Sequence, residues 1–374
     1  MSSSSSSTYL GYISLFFLVF IQTGRSISYA VSNSAGSYDF SPLSAICMAE
    51  CVKGLLSIFS LQKMHGPVEA KAQLRMCFAR GKEGLLLPRI AVLAAMYCLN
   101  NQLEFVLYTI FDPAFVTLVK AAMPVLIALF SLLLGIASLR VSQLINLLVA
   151  CLSLFCARQA VNSSGGGGSS MVGADTTGWV LVITHVTIAA LNSVWNENTL
   201  NACDASLNAH NTFLYLFGFI FNGICFMLSS EPRGFFQGYN SAGLMVIFVN
   251  SIIGIAISGV FKYLGAIAGS LASSLSAVLV LFVSWKFLGH FVSLVSLLCS
   301  VVTICAIFLH FFSVNRHFDL YLGVGSSTLN SAEPPSKPPK KGRMSTRKLI
   351  MASLVPALIA LSATMGLIAI PTPR

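Results

Sequence analysis

Residues 191–200 read LNSVWNENTL and continue without a break from the apolar run WVLVITHVTIAA at 179–190. The run has the composition of a segment crossing the middle of a bilayer, yet Asn192, Asn196, Glu197 and Asn198 follow directly on it. A polar group in lipid costs several kcal/mol unless something satisfies it, so such residues face a bundle interior or a water-filled cavity. Two questions follow: how many such helices the chain contains, and what the cavity between them holds.

Composition answers the first in outline. The 374 residues are 56% hydrophobic and only 9% charged, with a mean hydropathy of +0.81, which excludes an ordinary soluble domain and indicates a polytopic membrane protein. The formal charge of +10 would suggest nucleic acid in a soluble chain. Here its placement between apolar segments reports topology instead, the bilayer is the partner, and no nucleic acid is expected.

A span needs about 20 mostly apolar residues. Such runs fall at 9–31, 40–62, 84–108, 113–134, 141–158, 178–200, 211–230, 241–262, 266–288 and 291–313, with a weaker one at 349–370 interrupted by Pro356. The expected fold is an all-α bundle of ten helices, with an additional C-terminal membrane helix. A short Ser-rich tail at 1–8 precedes the ten-helix unit 9–313, whose halves are 9–158 and 178–313, and the Pro- and Lys-rich stretch 314–348 reads as a disordered linker. The first run has no basic start and no small-x-small cleavage site, so it reads as a transmembrane helix rather than a signal peptide.

Basic residues in short connections set sidedness. Lys63, Lys71, Arg75, Arg80 and Lys82 lie between the second and third runs, and Lys337, Lys340, Lys341, Arg343, Arg347 and Lys348 precede the last. Both stretches belong in the cytosol, which puts the amino terminus there too and the loop 159–177 on the lumenal side. That loop holds the sequon Asn162-Ser163-Ser164, so Asn162 is a candidate for glycosylation.

Ten cysteines, most inside or at the ends of apolar runs and none in a C-x-x-C, read as small packing residues. The six histidines lack metal-ligand spacing, so no metal and no cofactor is expected. No nucleophile–base pair or phosphate loop is visible, and an enzyme is not expected.

PVLIALFSLLLG at 124–135 and VLVLFVSWKFLG at 278–289 both close on Leu-Gly and place the fourth and ninth helices at equivalent positions of two five-helix halves. Five is odd, so such halves cross the membrane in opposite senses. Inverted repeats of this kind are a transporter design with the site near the midplane.

Polar residues inside the runs nominate the site. Glu50 and Lys53 in AECVKGLLS lie three apart on one face, as a self-compensating pair or as a gate or phosphate contact. Asn100, Asn101 and Glu104 in MYCLNNQLEFVLY bond between helices or line a cavity. Lys120 in FVTLVKAAMP has no carboxylate three or four residues away, so it needs an anionic ligand or a cross-helix partner such as Glu197 or Glu50. Asn192 and Asn196 are four apart, flanked by Trp195 and Glu197, a polar face beside an aromatic that suits the edges and plane of a nucleobase. Gly269, Ser270, Ala272, Ser273, Ser274 and Ser276 remove bulk along the ninth helix, for close packing or for close approach of a ligand.

Taken together, AECVKGLLS, YCLNNQLEFVLYTIFDPA, VWNEN and FKYLGAIAGSLASSLSAVLVLF resemble, in order and spacing, the nucleotide-sugar transporters of the drug/metabolite transporter superfamily, of the CMP-sialic acid and UDP-galactose type, over roughly 9–313. The resemblance implies two inverted five-helix repeats, a multi-pass protein of the Golgi or endoplasmic-reticulum membrane, and exchange of a cytosolic nucleotide sugar for a lumenal nucleoside monophosphate. By position it places Trp195, Asn196 and Glu197 near the nucleotide, matches Lys262-Tyr263 to the family's Lys-Tyr, and matches Gly269–Ser274 to a Gly-Phe-Ala-Thr-Ser-like stretch. Two departures stand out. Gly269 occupies the position of a second lysine present in many relatives, and Lys120 lies about three residues nearer its Asp-Pro opening than usual.

The expected mechanism has Lys120, with Lys53, neutralising phosphate, Trp195, Asn192 and Asn196 holding the base, and the ninth helix lying along the ribose or sugar while the two halves rock. A homodimer is compatible with this reading. The rival readings are a triose-phosphate-type exchanger of the same superfamily, which FVTLVKAAMP also resembles, and a non-transporting membrane organiser working through the basic tail at 333–348.

Overall fold

Ten helices make up nearly all of the computed structural model, which describes residues 2–34, 37–78, 80–81, 84–111, 116, 119–120, 122–135, 139–163, 176–202, 205–229, 233–287, 294–313 and 321–322. In chain order they are α1 (Ser2–Ser32), α2 (Pro42–Met76), α3 (Leu86–Ile110), α4 (Met123–Leu133), α5 (Val141–Ser163), α6 (Thr176–Ala202), α7 (Leu207–Leu228), α8 (Ser241–Tyr263), α9 (Ala266–Phe287) and α10 (Leu294–Ser313). They coincide one for one with the ten expected spans. Six of them, α2, α3 and α6 to α9, are each long and apolar enough to cross a membrane.

Boundaries differ where hydropathy says nothing about helicity. The first helix starts at Ser2, inside the serine run. The second continues well past residue 62 to Met76, through a kink at Gly66 with φ 73°, followed by Pro67. Glycine admits the left-handed conformation, and proline is accepted at the start of the new helical stretch. Beyond the kink, Ala70 packs with Leu61, Cys77, Ala205 and Ala209. Gln73 Oε1 there accepts the backbone N–H of Ser206 at 2.8 Å. Helix α5 runs on to Ser163, so Asn162 sits in its last turn; its side chain lies outside the described residues. Of the expected linker 314–348 only Tyr321–Leu322 is described, and the span 349–370 lies outside the described residues.

Short connections are made by specific chemistry. Asn240 caps α8, its side chain accepting Gly243 N at 2.9 Å. Gly265, at φ 89°, turns the chain from α8 directly into α9.

The most extensive helix pairings among the described residues are α2 with α7, α5 with α10, α1 with α8, α3 with α7, α1 with α9, α3 with α6, α2 with α8 and α4 with α6. Adding five to each label, and counting back from ten, maps this set onto itself: α1·α8 becomes α6·α3, α1·α9 becomes α6·α4, and α3·α7 becomes α8·α2. The packing therefore carries an internal two-fold between residues of the first five helices and those of the last five. Each of these pairings joins the two halves.

Contacts between connections respect the alternation expected of ten crossings. The hairpin of β1 (Asn33–Ser34) and β2 (Ser37–Tyr38) meets the loop before α8, where Arg233 donates to Tyr38 O and Asn240 Nδ2 to Asp39 Oδ2 at 3.3 Å. At the other end, a second short hairpin, β3 (Arg80–Gly81) with β4 (Gly84–Leu85), leads into α3. Strand β5 (Leu139–Arg140), between α4 and α5, pairs with β6 (Tyr321–Leu322), after α10.

Apolar burial drives helices together weakly in lipid, so small residues and interhelical hydrogen bonds count for more. Thr23 and Ser276 hydroxyls lie 3.1 Å apart between α1 and α9, Tyr29 Oη donates to Asn250 Oδ1 at 3.1 Å between α1 and α8, and Ser153 and Thr303 lie 2.7 Å apart between α5 and α10. Bonds of this kind contribute about 0.6 kcal/mol each.

Candidate functional site

Helices α1, α2, α3, α6, α7, α8 and α9, together with Lys120 and the first residue of α4, Met123, enclose a cavity in the bundle. It leaves about 130 Å³ for the centres of water-sized molecules, against roughly 10–15 Å³ for a single water. The middle of the bundle therefore has room for a chain of waters or for polar parts of a solute.

Helix α6 presents His185, Ala189, Asn192, Ser193 and Asn196 to this space, a stripe at spacings of three and four residues. Asn192 is 1% exposed, and neither its amide oxygen nor its amide nitrogen has a protein partner. Asn196 Nδ2 donates to Tyr97 Oη at 3.1 Å, leaving its Oδ1 unsatisfied, and Asn100 Oδ1 on α3 is unsatisfied as well. Unmet donors and acceptors in a buried site cost about 1–3 kcal/mol each unless water or a ligand meets them. Three amides thus converge on one chamber with hydrogen-bonding capacity to spare.

Two ionic clusters border the same chamber. On α2, Lys53 Nζ lies 2.5 Å from Glu50 Oε1 and 4.9 Å from the centre of the Tyr215 ring. Opposing glycines make room for this pair: a Cβ at Gly254 would stand 2.6 Å from Lys53 Cδ, and one at Gly218 2.9 Å from Glu50 Oε2. In the second cluster, Glu104 Oε1 on α3 accepts from both Arg25 Nη2, at 3.0 Å, and Lys120 Nζ. Tyr29 and Tyr108 flank it, the Arg25 guanidinium 5.9 Å from one ring centre and the Lys120 ammonium 5.8 Å from the other. Lys120 does take a cross-helix carboxylate, but it is Glu104 rather than Glu197 or Glu50. With Arg25, Lys53 and Lys120 against Glu50 and Glu104, the ionised lining carries an excess of one positive charge.

Of the residues nominated from sequence, Glu50, Lys53, Asn100, Asn101, Lys120, Asn192, Asn196, Gly269, Ser270 and Ser273 line the cavity. The others sit elsewhere. Trp195 is buried in an apolar cluster with Leu61 and Ile90, its Nε1 donating to Arg89 O at 3.2 Å, so its ring is not at the chamber wall. Glu197 Oε2 accepts Ala266 N at 2.8 Å and caps the start of α9, while Lys262 Nζ donates to Leu200 O at 2.9 Å near the end of α6. Tyr263 is 39% exposed. Ser274 is buried off the lining, and beside it Ala268 and Ala272 pack against Leu18 and Val19 of α1. The small residues of α9 therefore serve both purposes, one face for packing and one for the chamber.

Lining residues missed from sequence include Gln22 and Arg25 on α1, Tyr97, Tyr215, and the lone asparagines Asn222 and Asn250. Gln22 and Arg25 show the signal that marked Glu50 and Lys53, two polar groups three apart in an apolar run. Among the described residues, no group of three His, Cys, Asp or Glu side chains is placed to hold a metal ion.

The profile of the nucleotide-sugar transporter family matches residues 6–311. The chain belongs to this family. As a member of this family it is a multi-pass membrane protein, and the chamber lies between its helices. It is 30% identical over 274 residues to CMP-sialic acid transporter 2 of Arabidopsis thaliana, covering 71% of this chain and 66% of that one. CMP-sialic acid transporter 4 of Oryza sativa subsp. indica is 28% identical over 269 residues, covering 70% of this chain and 66% of that one. The aligned part of this nucleotide-sugar transporter thus falls just short of two thirds of either relative's length. CMP-sialic acid transporter 2 of the same rice is 24% identical over 299 residues, covering 78% and 81% of the two chains. A crystal structure superposes over 83% of this chain and 97% of its own with a TM-score of 0.59 at 17% identity, a likeness of fold.

Proposed function

We propose that the protein exchanges a cytosolic nucleotide sugar for a lumenal nucleoside monophosphate across a Golgi or endoplasmic-reticulum membrane, with its amino terminus in the cytosol. The observation that carries this reading is the unsatisfied Asn192 amide, which faces the chamber beside Asn196 and Asn100 and shares it with three cations. An amide with both ends free can pair in-plane with a nucleobase edge, which offers a donor and an acceptor side by side. Lys120 and Lys53 supply positive charge for phosphate, and Gly269, Ser270 and Ser273 leave room and hydroxyls for ribose or sugar. Tyr97, Tyr215 and Phe261, rather than Trp195, bring aromatic rings to the chamber wall.

A nucleoside monophosphate shares the base and one phosphate of the nucleotide sugar, so one site serves both directions. Net exchange then requires only that the unloaded carrier reorients slowly. Because the extensive pairings each join the two halves, the bodies that rock combine helices from both, and are not the sequence halves themselves. The named relatives are CMP-sialic acid transporters, which favours a cytidine or uridine nucleotide.

The test is uptake into proteoliposomes preloaded with CMP, UMP, GMP or AMP and offered a panel of labelled nucleotide sugars. Preloading with the matching monophosphate should accelerate uptake severalfold over unloaded vesicles. Uptake of none of the panel, with reconstituted protein shown to be folded, would refute the reading.

A further inference from the structure

Arg25 and Lys120 aim at a single atom. Glu104 Oε1 takes Arg25 Nη2 at 3.0 Å and Lys120 Nζ from a different direction, and the carboxylate side chain is only 3% exposed. The three residues come from three places: Arg25 from α1, Glu104 from α3, and Lys120 from the segment leading into α4. All three also line the chamber. Two cations converging on one buried anionic oxygen is the arrangement that binds a phosphate oxygen, since carboxylate and phosphate present the same charge-assisted acceptor to guanidinium and ammonium donors. The cluster is an anion site in which the protein's own carboxylate supplies the anion.

We propose that Glu104 is a displaceable internal ligand: the substrate phosphate takes the place of Glu104 Oε1 on Arg25 and Lys120, so that Arg25 is a phosphate-binding residue and Glu104 a positioning residue that competes with substrate. This rests on the exchange reading above and deepens it. Arg25 supplies the second cation of the site from α1, where Gly269 on α9 offers none. The swap is isoelectric at the contacted oxygen, so the cations never stand buried and alone, a state that desolvation makes costly. It also supplies a physical reason for exchange: with no phosphate bound, the carboxylate ties α1, α3 and the start of α4 together, and only a phosphate releases that tie. Glu50 and Lys53, 2.5 Å apart on one helix, make no such bridge between helices.

The experiment compares wild type with Glu104→Gln, Glu104→Asp, Arg25→Gln and Lys120→Gln, full-length in nanodiscs and proteoliposomes. Binding of CMP, UMP, GMP and AMP is read by ligand-induced thermal shift, with the corresponding nucleosides as phosphate-free controls. Uptake of labelled nucleotide sugar is read with and without preloaded monophosphate. Glu104→Gln removes the competitor without removing a cation, so monophosphate affinity should rise severalfold, nucleoside binding should stay unchanged, and uptake should lose much of its dependence on preloading. Glu104→Asp should restore that dependence in part. Arg25→Gln and Lys120→Gln should each weaken monophosphate binding at least tenfold while sparing nucleosides. Unchanged affinity and unchanged preloading dependence in Glu104→Gln would overturn the proposal while leaving exchange itself intact; failure of every nucleotide to bind wild type would instead remove the exchange reading. Where Glu104→Gln does not fold, Arg25→Gln decides alone, and full monophosphate affinity in that variant sinks the proposal.

Discussion

The Lys53 stem packs against Gly254 of α8, where a methyl group would come within 2.6 Å of Lys53 Cδ. The clash falls on a flexible stem rather than on backbone, so relief comes from moving the lysine. Gly254→Ala is expected to fold, the overpacking cost of about 1–3 kcal/mol being offset in part by the roughly 0.5–1 kcal/mol that alanine gains over glycine in a helix, while displacing the ammonium from Glu50 and Tyr215. Its melting temperature should stay near wild type and its nucleotide-sugar uptake should fall severalfold. Equal uptake would show that the position of Lys53 does not matter to transport.

Breaking the Glu50–Lys53 pair should cost more than deleting it. Removing one partner strands a buried charge, a loss of about 3–5 kcal/mol, whereas replacing both by neutral groups of similar volume is close to neutral. Thermal unfolding in detergent should therefore place Lys53→Met well below wild type and the double variant Glu50→Gln/Lys53→Met between the two. A double variant less stable than either single one would contradict a compensated pair.

Asn192 makes the opposite prediction for stability and function. Its amide has no protein partner at either end, so Asn192→Leu removes unmet polar groups and should hold or raise stability by about 1 kcal/mol. Uptake should drop at least tenfold, because the same change removes the base contact. Loss of folding together with loss of transport would point to a structural role.

At the other end of α6, Glu197 caps α9 through Ala266 N. Glu197→Ala should lower stability by about 0.5–2 kcal/mol, the usual worth of a helix cap, and leave the apparent affinity for nucleotide sugar unchanged. A change in affinity without a change in melting temperature would move Glu197 back into the binding site.

Nearly all of the fold was legible in the sequence, because lipid forces every span into a helix of about 20 apolar residues. What hydropathy could not show was the polar continuation of α2 to Met76 beyond its Gly66 kink. The chamber was legible to the extent that intramembrane polar groups must face inward, a rule that nominates Glu50, Lys53, Asn100, Lys120 and Asn192, all of which line it. Helical phase explains the main displacement: successive residues are about 100° apart, so Trp195 and Glu197, on either side of Asn196, point away from the stripe that Asn192 and Asn196 share. Partners were not legible. Glu104 lies 16 residues from Lys120, and Arg25 reaches it from another helix, so only tertiary packing brings the three together.

The interleaved pairing of first-half with second-half helices has a consequence for biogenesis. A nascent chain emerges from the ribosome in order, so α1 to α3 insert carrying Arg25, Glu50, Lys53 and Glu104 before α7 and α8, which cover α2 and α3, have been made. During that interval the Glu50–Lys53 and Arg25–Glu104 pairs can form, but the helices that later cover α2 and α3 are not yet there. Truncation after α5 should yield a fragment retained by quality control, and co-synthesis of the missing helices should rescue it.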